Sequence, residues 1–170
     1  MREEHRMSID FKEALEPDDF EGFEIDPLGE LSPFERGVHQ FAHDHDRHIR
    51  FRVGNDSTVV EAFRDVIPIF FDLSGGVVDL AAGNSFSLEL PELGQSIGFS
   101  VAADGTVRCE LRGFNTGAAK EYFLAKENTI GAFVGFMSEF LRQAVSAGCV
   151  LESDAATFLA PLSSLTKSSS

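Results

Sequence analysis

Phe86-Ser87-Leu88-Glu89-Leu90, Gln95-Ser96-Ile97-Gly98-Phe99-Ser100-Val101 and Thr106-Val107-Arg108-Cys109-Glu110-Leu111-Arg112 decide the fold of this 170-residue chain. Apolar and polar residues alternate in all three runs, the period-two signature of a strand buried on one side. Phe86, Leu88, Leu90, Ile97, Phe99, Val101, Val107, Cys109 and Leu111 share one face. Ser85, Ser87, Glu89, Ser96, Gly98, Ser100, Arg108, Glu110 and Arg112 share the other. Asp104-Gly105 supplies a hairpin turn between the last two runs. The pattern predicts an antiparallel sheet with one wet face.

Working outward, Val77–Ala81 and Lys120–Ala125 read as further strands, and Ile49, Phe51 and Val53 alternate with Arg50 and Arg52 in another. Gly54-Asn55-Asp56 ends that strand. Thr58 and Glu61 offer a capping box for a helix that turns Val59, Ala62, Phe63, Val66, Ile67 and Phe70 toward the core. Pro68 should kink it and Ser74-Gly75-Gly76 should stop it. Asn128 or Thr129 opens a long helix with Ile130, Phe133, Val134, Met137, Phe140, Leu141, Ala144 and Val145 on one stripe, closed by Gly148. Residues 151–162 add a short helix. Ser32-Pro33-Phe34-Glu35 is a second helix start, with Phe34, Val38, Phe41 and Ala42 on one face. Gly37 and the run His43-Asp44-His45-Asp46 weaken that helix and leave an extended segment as the alternative.

The expected fold is α+β, in two layers: an antiparallel sheet of about five or six strands with two main helices packed on one face. Residues 1–47 form an acidic N-terminal segment with a candidate short helix, packed on the domain. Residues 48–162 form the α+β domain, and 163–170 a flexible tail.

Seventeen Phe, one Tyr and no Trp make the aromatic content almost purely apolar, suited to packing rather than to stacking on bases or sugars. Cys109 and Cys149 are too few and too far apart for a disulfide framework or a zinc knuckle. The charged start Met-Arg-Glu-Glu-His-Arg is unlike a signal peptide, and the run Val66–Phe71 is far short of a membrane span, so a cytoplasmic location is expected.

The net charge of −14 disfavours direct binding to nucleic acid or anionic lipid and favours a basic protein partner. Residues 1–48 carry fourteen acids against five bases. Within 13–35 there are nine acids and no base, interleaved with Phe20, Phe23, Ile25, Leu28 and Leu31, so the stretch is not a plain solvated tail. It would lie across its own domain or reach a partner.

Two groups of residues invite a chemical reading. His39, His43, His45 and His48, with Asp44 and Asp46, are the one cluster resembling a metal site, His39 and His43 falling one helical turn apart. No Glu stands between them as zinc hydrolases require, and no distant third ligand stands out. Glu89 and Glu110 could face each other across the open sheet face as an acid–base pair, although the serines and arginines around them describe an ordinary solvated surface. Nucleophile elbow, phosphate loop and dinucleotide fingerprint are all missing. The expectation is no enzyme activity, no metal and no cofactor.

From Thr58 onward the order of motifs resembles a family. Phe71-Asp72-Leu73-Ser74-Gly75-Gly76, Val77-Val78-Asp79-Leu80 and Phe86-Ser87-Leu88-Glu89-Leu90 look like the WapI-type immunity proteins of bacterial contact-dependent toxin systems. Gly98-Phe99-Ser100-Val101, Tyr122-Phe123-Leu124 and Glu127-Asn128-Thr129-Ile130 follow the same layout. The likeness spans residues 58–147. Residues 13–48 have no counterpart in it, and Asn128-Thr129 stands where an acidic, Gln-Thr or Gln-Ser start would belong. It implies a cytoplasmic immunity protein that neutralises a cognate toxin, one that the charge would make basic. The residues expected to bind that partner are Asp18, Asp19, Glu21, Glu24 and Asp26 in the acidic stretch, with Glu89 and Glu110 on the sheet. Two other readings stand beside it: a metal-dependent or small-molecule enzyme using the His39–His48 cluster, and an acidic accessory protein or nucleic-acid mimic.

Overall fold

In the computed structural model, which describes residues 5–13, 26–44, 47–114 and 118–166, the three alternating runs pair as their pattern requires. Strands β4 (Phe86–Leu90), β5 (Gln95–Val101), β6 (Val107–Arg112) and β7 (Lys120–Leu124) form an antiparallel sheet in that order. Leu88 lies opposite Ile97, and Phe99 opposite Cys109, so the apolar residues meet in one layer. Leu88, Ile97, Phe99, Val107, Cys109 and Leu111 are all buried.

The remaining strands do not extend this sheet. β1 (Met7–Glu13), β2 (Arg47–Val53) and β3 (Asp56–Glu61) form a separate antiparallel sheet in sequence order. The expected single sheet of five or six strands is therefore corrected to two sheets, of four and three strands. Residues 56–61 are the main cause. They were expected to open a helix, but Val53 pairs with Asp56 across the two-residue turn Gly54-Asn55, and Gly54 takes a left-handed φ of +57°. Burial then alternates along β3, with Thr58 and Val60 inward. Thr58 caps nothing; its hydroxyl donates to Gln95 Oε1 at 2.6 Å and links the two sheets.

Helix α2 accordingly begins later and runs further than expected, over Ala62–Ala81, with Pro68 inside it. Ser74-Gly75-Gly76 does not stop it, and Val77–Ala81 is helix rather than strand. Val66, Ile69, Phe70, Leu73, Val77 and Leu80 continue one buried stripe through the glycines. Burying Val77 and Leu80 outweighs the roughly 1 kcal/mol that each helical glycine costs. Gly76 also has a steric role, since a Cβ there would overlap the Phe86 ring.

The capping box at Ser32 forms as read: Ser32 N–H donates to Glu35 Oε2 at 2.6 Å, and Glu35 N–H donates to Ser32 Oγ at 3.2 Å. It opens α1 (Pro33–Asp44). Gly37 is needed there because a Cβ would overlap the Cys149 carbonyl oxygen. Helix α3 (Lys126–Ser146) starts two to three residues before the expected cap, and the Thr129 hydroxyl donates to Ala125 O at 2.8 Å. Helix α4 spans Glu152–Thr166.

One aromatic core joins the two sheets through α3. Phe133 meets Phe99 at 5.2 Å and Phe86 at 5.8 Å on the four-stranded sheet. Phe140, two turns on, meets Phe11 of β1 at 5.1 Å, Phe41 of α1 at 5.1 Å and Phe70 of α2 at 5.0 Å. The helices cover one face of the larger sheet and leave the other open. Among the described residues, no helix is long and apolar enough to cross a membrane.

Candidate functional site on the open sheet face

Register places the polar residues of the larger sheet in three rows. Glu89, Ser96 and Arg112 form one, Ser87, Gly98, Glu110 and Glu121 the next, and Ser100, Arg108 and Phe123 the third. Glu110 and Glu121 are directly opposed like charges, which would be destabilising alone. Arg108 resolves the conflict: its Nη2 lies 3.2 Å from Glu110 Oε2 and 2.7 Å from Glu121 Oε2. Arg112 Nε pairs with the other Glu110 oxygen. Bonding to Glu121 and the charges of both carboxylates raise the Arg108 pKa. The result is a charge-balanced network of two arginines and two glutamates.

Glu89 and Glu110 share this face, but β5 runs between their strands, so they do not form a facing acid–base pair. Strand spacing puts the two backbones roughly 10 Å apart. Glu89 instead accepts a 2.7 Å hydrogen bond from the Ser87 hydroxyl and lies near Asp72 of α2. Burial first, then the Glu89 charge, raises the Asp72 pKa. Nothing in the sequence marked Asp72 for this position, because the local pattern shows which face of a helix is buried but not which strand its flank approaches.

Asp26 is occupied locally. It accepts hydrogen bonds from the N–H groups of Glu30 and Leu31 at 2.9 and 3.3 Å, and Arg36 Nη2 lies 3.4 Å away. Burial acts to raise its pKa, but these donors and Arg36 outweigh it, and the net shift is downward. Asp18, Asp19, Glu21 and Glu24 lie outside the described residues.

His39 and His43 stand on α1 and His48 on β2, while His45 and Asp46 lie outside the described residues. His43 Nδ1 is 3.6 Å from Asp44 Oδ1. No group of three or more His, Cys, Asp or Glu that could hold a metal occurs among the described residues.

A further polar cluster, legible only in three dimensions, joins the sheets. Asp56 beside the β2–β3 turn accepts hydrogen bonds from Lys120 Nζ at 3.0 and 3.2 Å and from the Tyr122 hydroxyl, both on β7. His5 packs edge-on against Tyr122, ring centroids 4.8 Å apart.

The fold is α+β, and the larger sheet exposes a polar face. Comparison with protein-family models, curated proteins and solved structures finds no match to the chain.

Proposed function

We propose that this chain is an immunity protein: an inhibitor that binds a cognate, basic bacterial toxin domain and neutralises it by direct contact. The observation that carries this reading is the combination of a −14 net charge with a solvent-facing sheet surface on which Arg108 and Arg112 pair with Glu110 and Glu121. A surface ordered in advance loses little side-chain entropy on binding, and a strong acidic field speeds encounter with a basic partner. The likeness of residues 58–147 to WapI-type immunity proteins supports the same role.

The test is reconstitution with the product of the neighbouring gene, which the reading expects to be a toxin domain. The reading expects a stoichiometric complex in which the toxin's activity is lost in proportion to the inhibitor added. A toxin that keeps full activity in the presence of excess chain would overturn it.

A further inference from the structure

On its wet face β5 carries only Ser96, Gly98 and Ser100, the smallest side chains of the sheet. Larger groups rise beside them: Glu89 next to Ser87 on β4, and Arg108, Glu110 and Arg112 on β6. A trough of about 420 Å³ therefore runs along β5. Its floor at Gly98 is not a requirement of the fold. Gly98 is not among the glycines with positive φ, and a Cβ there would meet nothing nearer than Glu110 O at 3.9 Å. Glycine weakens a strand interior, and where no local geometry demands it, it marks a place where a ligand or another backbone comes close.

The two walls differ in charge. On the β6 side every carboxylate is paired: Glu110 with Arg108 and Arg112, Glu121 with Arg108. On the β4 side, Glu89 accepts the Ser87 hydroxyl and makes no ion pair among the described residues. Two strand spacings separate the walls by roughly 10 Å, about the width of one extended chain, and Ser96 to Ser100 offers roughly 13 Å of floor.

We infer that the trough over Ser96, Gly98 and Ser100 seats an extended segment of the partner protein, with a lysine or arginine of that segment facing Glu89. This rests on the inhibitor reading for the partner's identity, but not for the site. A basic side chain would neutralise the unpaired wall, whereas an acidic segment or a nucleic-acid backbone would add to its repulsion.

The experiment is an NMR titration of the full, nitrogen-labelled chain with two capped heptapeptides, one alternating threonine and lysine, the other threonine and glutamate. The lysine peptide should shift amides of β4, β5 and β6 saturably, and the glutamate peptide should not. Gly98→Val fills the trough with a residue that strands favour, so it should fold as well as wild type and lose at least tenfold in affinity. Glu89→Gln should lose at least threefold. Shifts spread over the surface, equal response to both peptides, or unchanged affinity in both variants would overturn the inference. Failure of the two ideas is distinguishable. If Gly98→Val still inhibits the toxin domain fully, the trough is not the contact, although the inhibitor reading survives. If the lysine peptide binds the trough and the toxin domain does not bind the chain, the reverse holds.

Discussion

The Tyr122 hydroxyl donates a hydrogen bond to the Asp56 carboxylate, and that contact ties the four-stranded sheet to the three-stranded one. Gly54 makes room for it, since a Cβ there would overlap the Tyr122 ring. Lys120 completes the tie from the same strand.

Replacing Tyr122 with Phe keeps the ring and removes the hydroxyl, so it should cost about 1–2 kcal/mol in chemical denaturation. The pH dependence has a definite sign. The hydrogen bond to Asp56, then burial, then the Asp56 charge raise the Tyr122 pKa above its ordinary 10.0. A raised folded-state pKa means that the contribution is full below the unfolded value and is lost as pH climbs through the folded one. The gap between wild type and Tyr122→Phe should thus narrow above about pH 10. Tyr122 is the only tyrosine, so its phenolate absorbance reports the shift without ambiguity. An ordinary midpoint together with a pH-independent gap would remove the tie from the account.

Phe99→Ala should cost about 3–5 kcal/mol, because it leaves a cavity between two partners that cannot both close in. Phe99 is 2% exposed, stacked on Phe86 at 4.8 Å and capped edge-on by Phe133 at 5.2 Å. A loss below about 1 kcal/mol would mean that these three rings do not pack as described.

The helical glycines divide into two groups. A Cβ at Gly75, Gly131 or Gly135 would meet nothing within 4 Å, so alanine at each should stabilise by roughly 0.5–1 kcal/mol. Gly37→Ala should destabilise, since its Cβ would overlap the backbone carbonyl of Cys149, which cannot rotate away. Thermal melts of the four single variants check both signs, and a stabilised Gly37→Ala would contradict the close approach of α1 to residue 149.

Much of this fold is legible in the sequence, and the errors share one cause. Strands β4, β5 and β6 follow from clean alternation, and α3 from a stripe of eight apolar residues at helical spacing, seven of them buried. The Ser32–Glu35 capping box signals α1 correctly because its hydrogen bonds are local. Where tertiary burial competes with local signals, the local signals lose. Thr58 and Glu61 match a capping box, yet hairpin pairing with β2 claims them. Gly75-Gly76 reads as a helix stop, yet Val77 and Leu80 pull the helix onward into the core. Met7, Ile9 and Phe11 alternate well enough to have indicated β1, but the charges around them masked the pattern. The open face was readable as a list of side chains. Its Arg108 lattice and the approach of Asp72 to Glu89 depend on register and helix placement, which no local pattern encodes.

The histidines give a direct check on the enzyme alternative. Elemental analysis of the purified chain should find no stoichiometric zinc, iron or nickel. One metal per chain, lost when His39→Ala and His43→Ala are combined, would favour a metal-dependent activity over inhibition by contact.

The central claim is capture of a basic toxin domain under the pull of an acidic surface. Residues 13–35 hold nine acids and no base, so neutralising Asp18, Asp19, Glu21 and Glu24 together removes much of that field. Single charges act weakly one at a time but jointly govern the encounter, and salt screens them. The measurement is stopped-flow association with the toxin domain at low and high salt, for wild type and the fourfold variant. Wild type should associate faster at low salt, with a steeper salt dependence, and the two should converge at high salt. Identical rates with identical salt slopes would contradict the account.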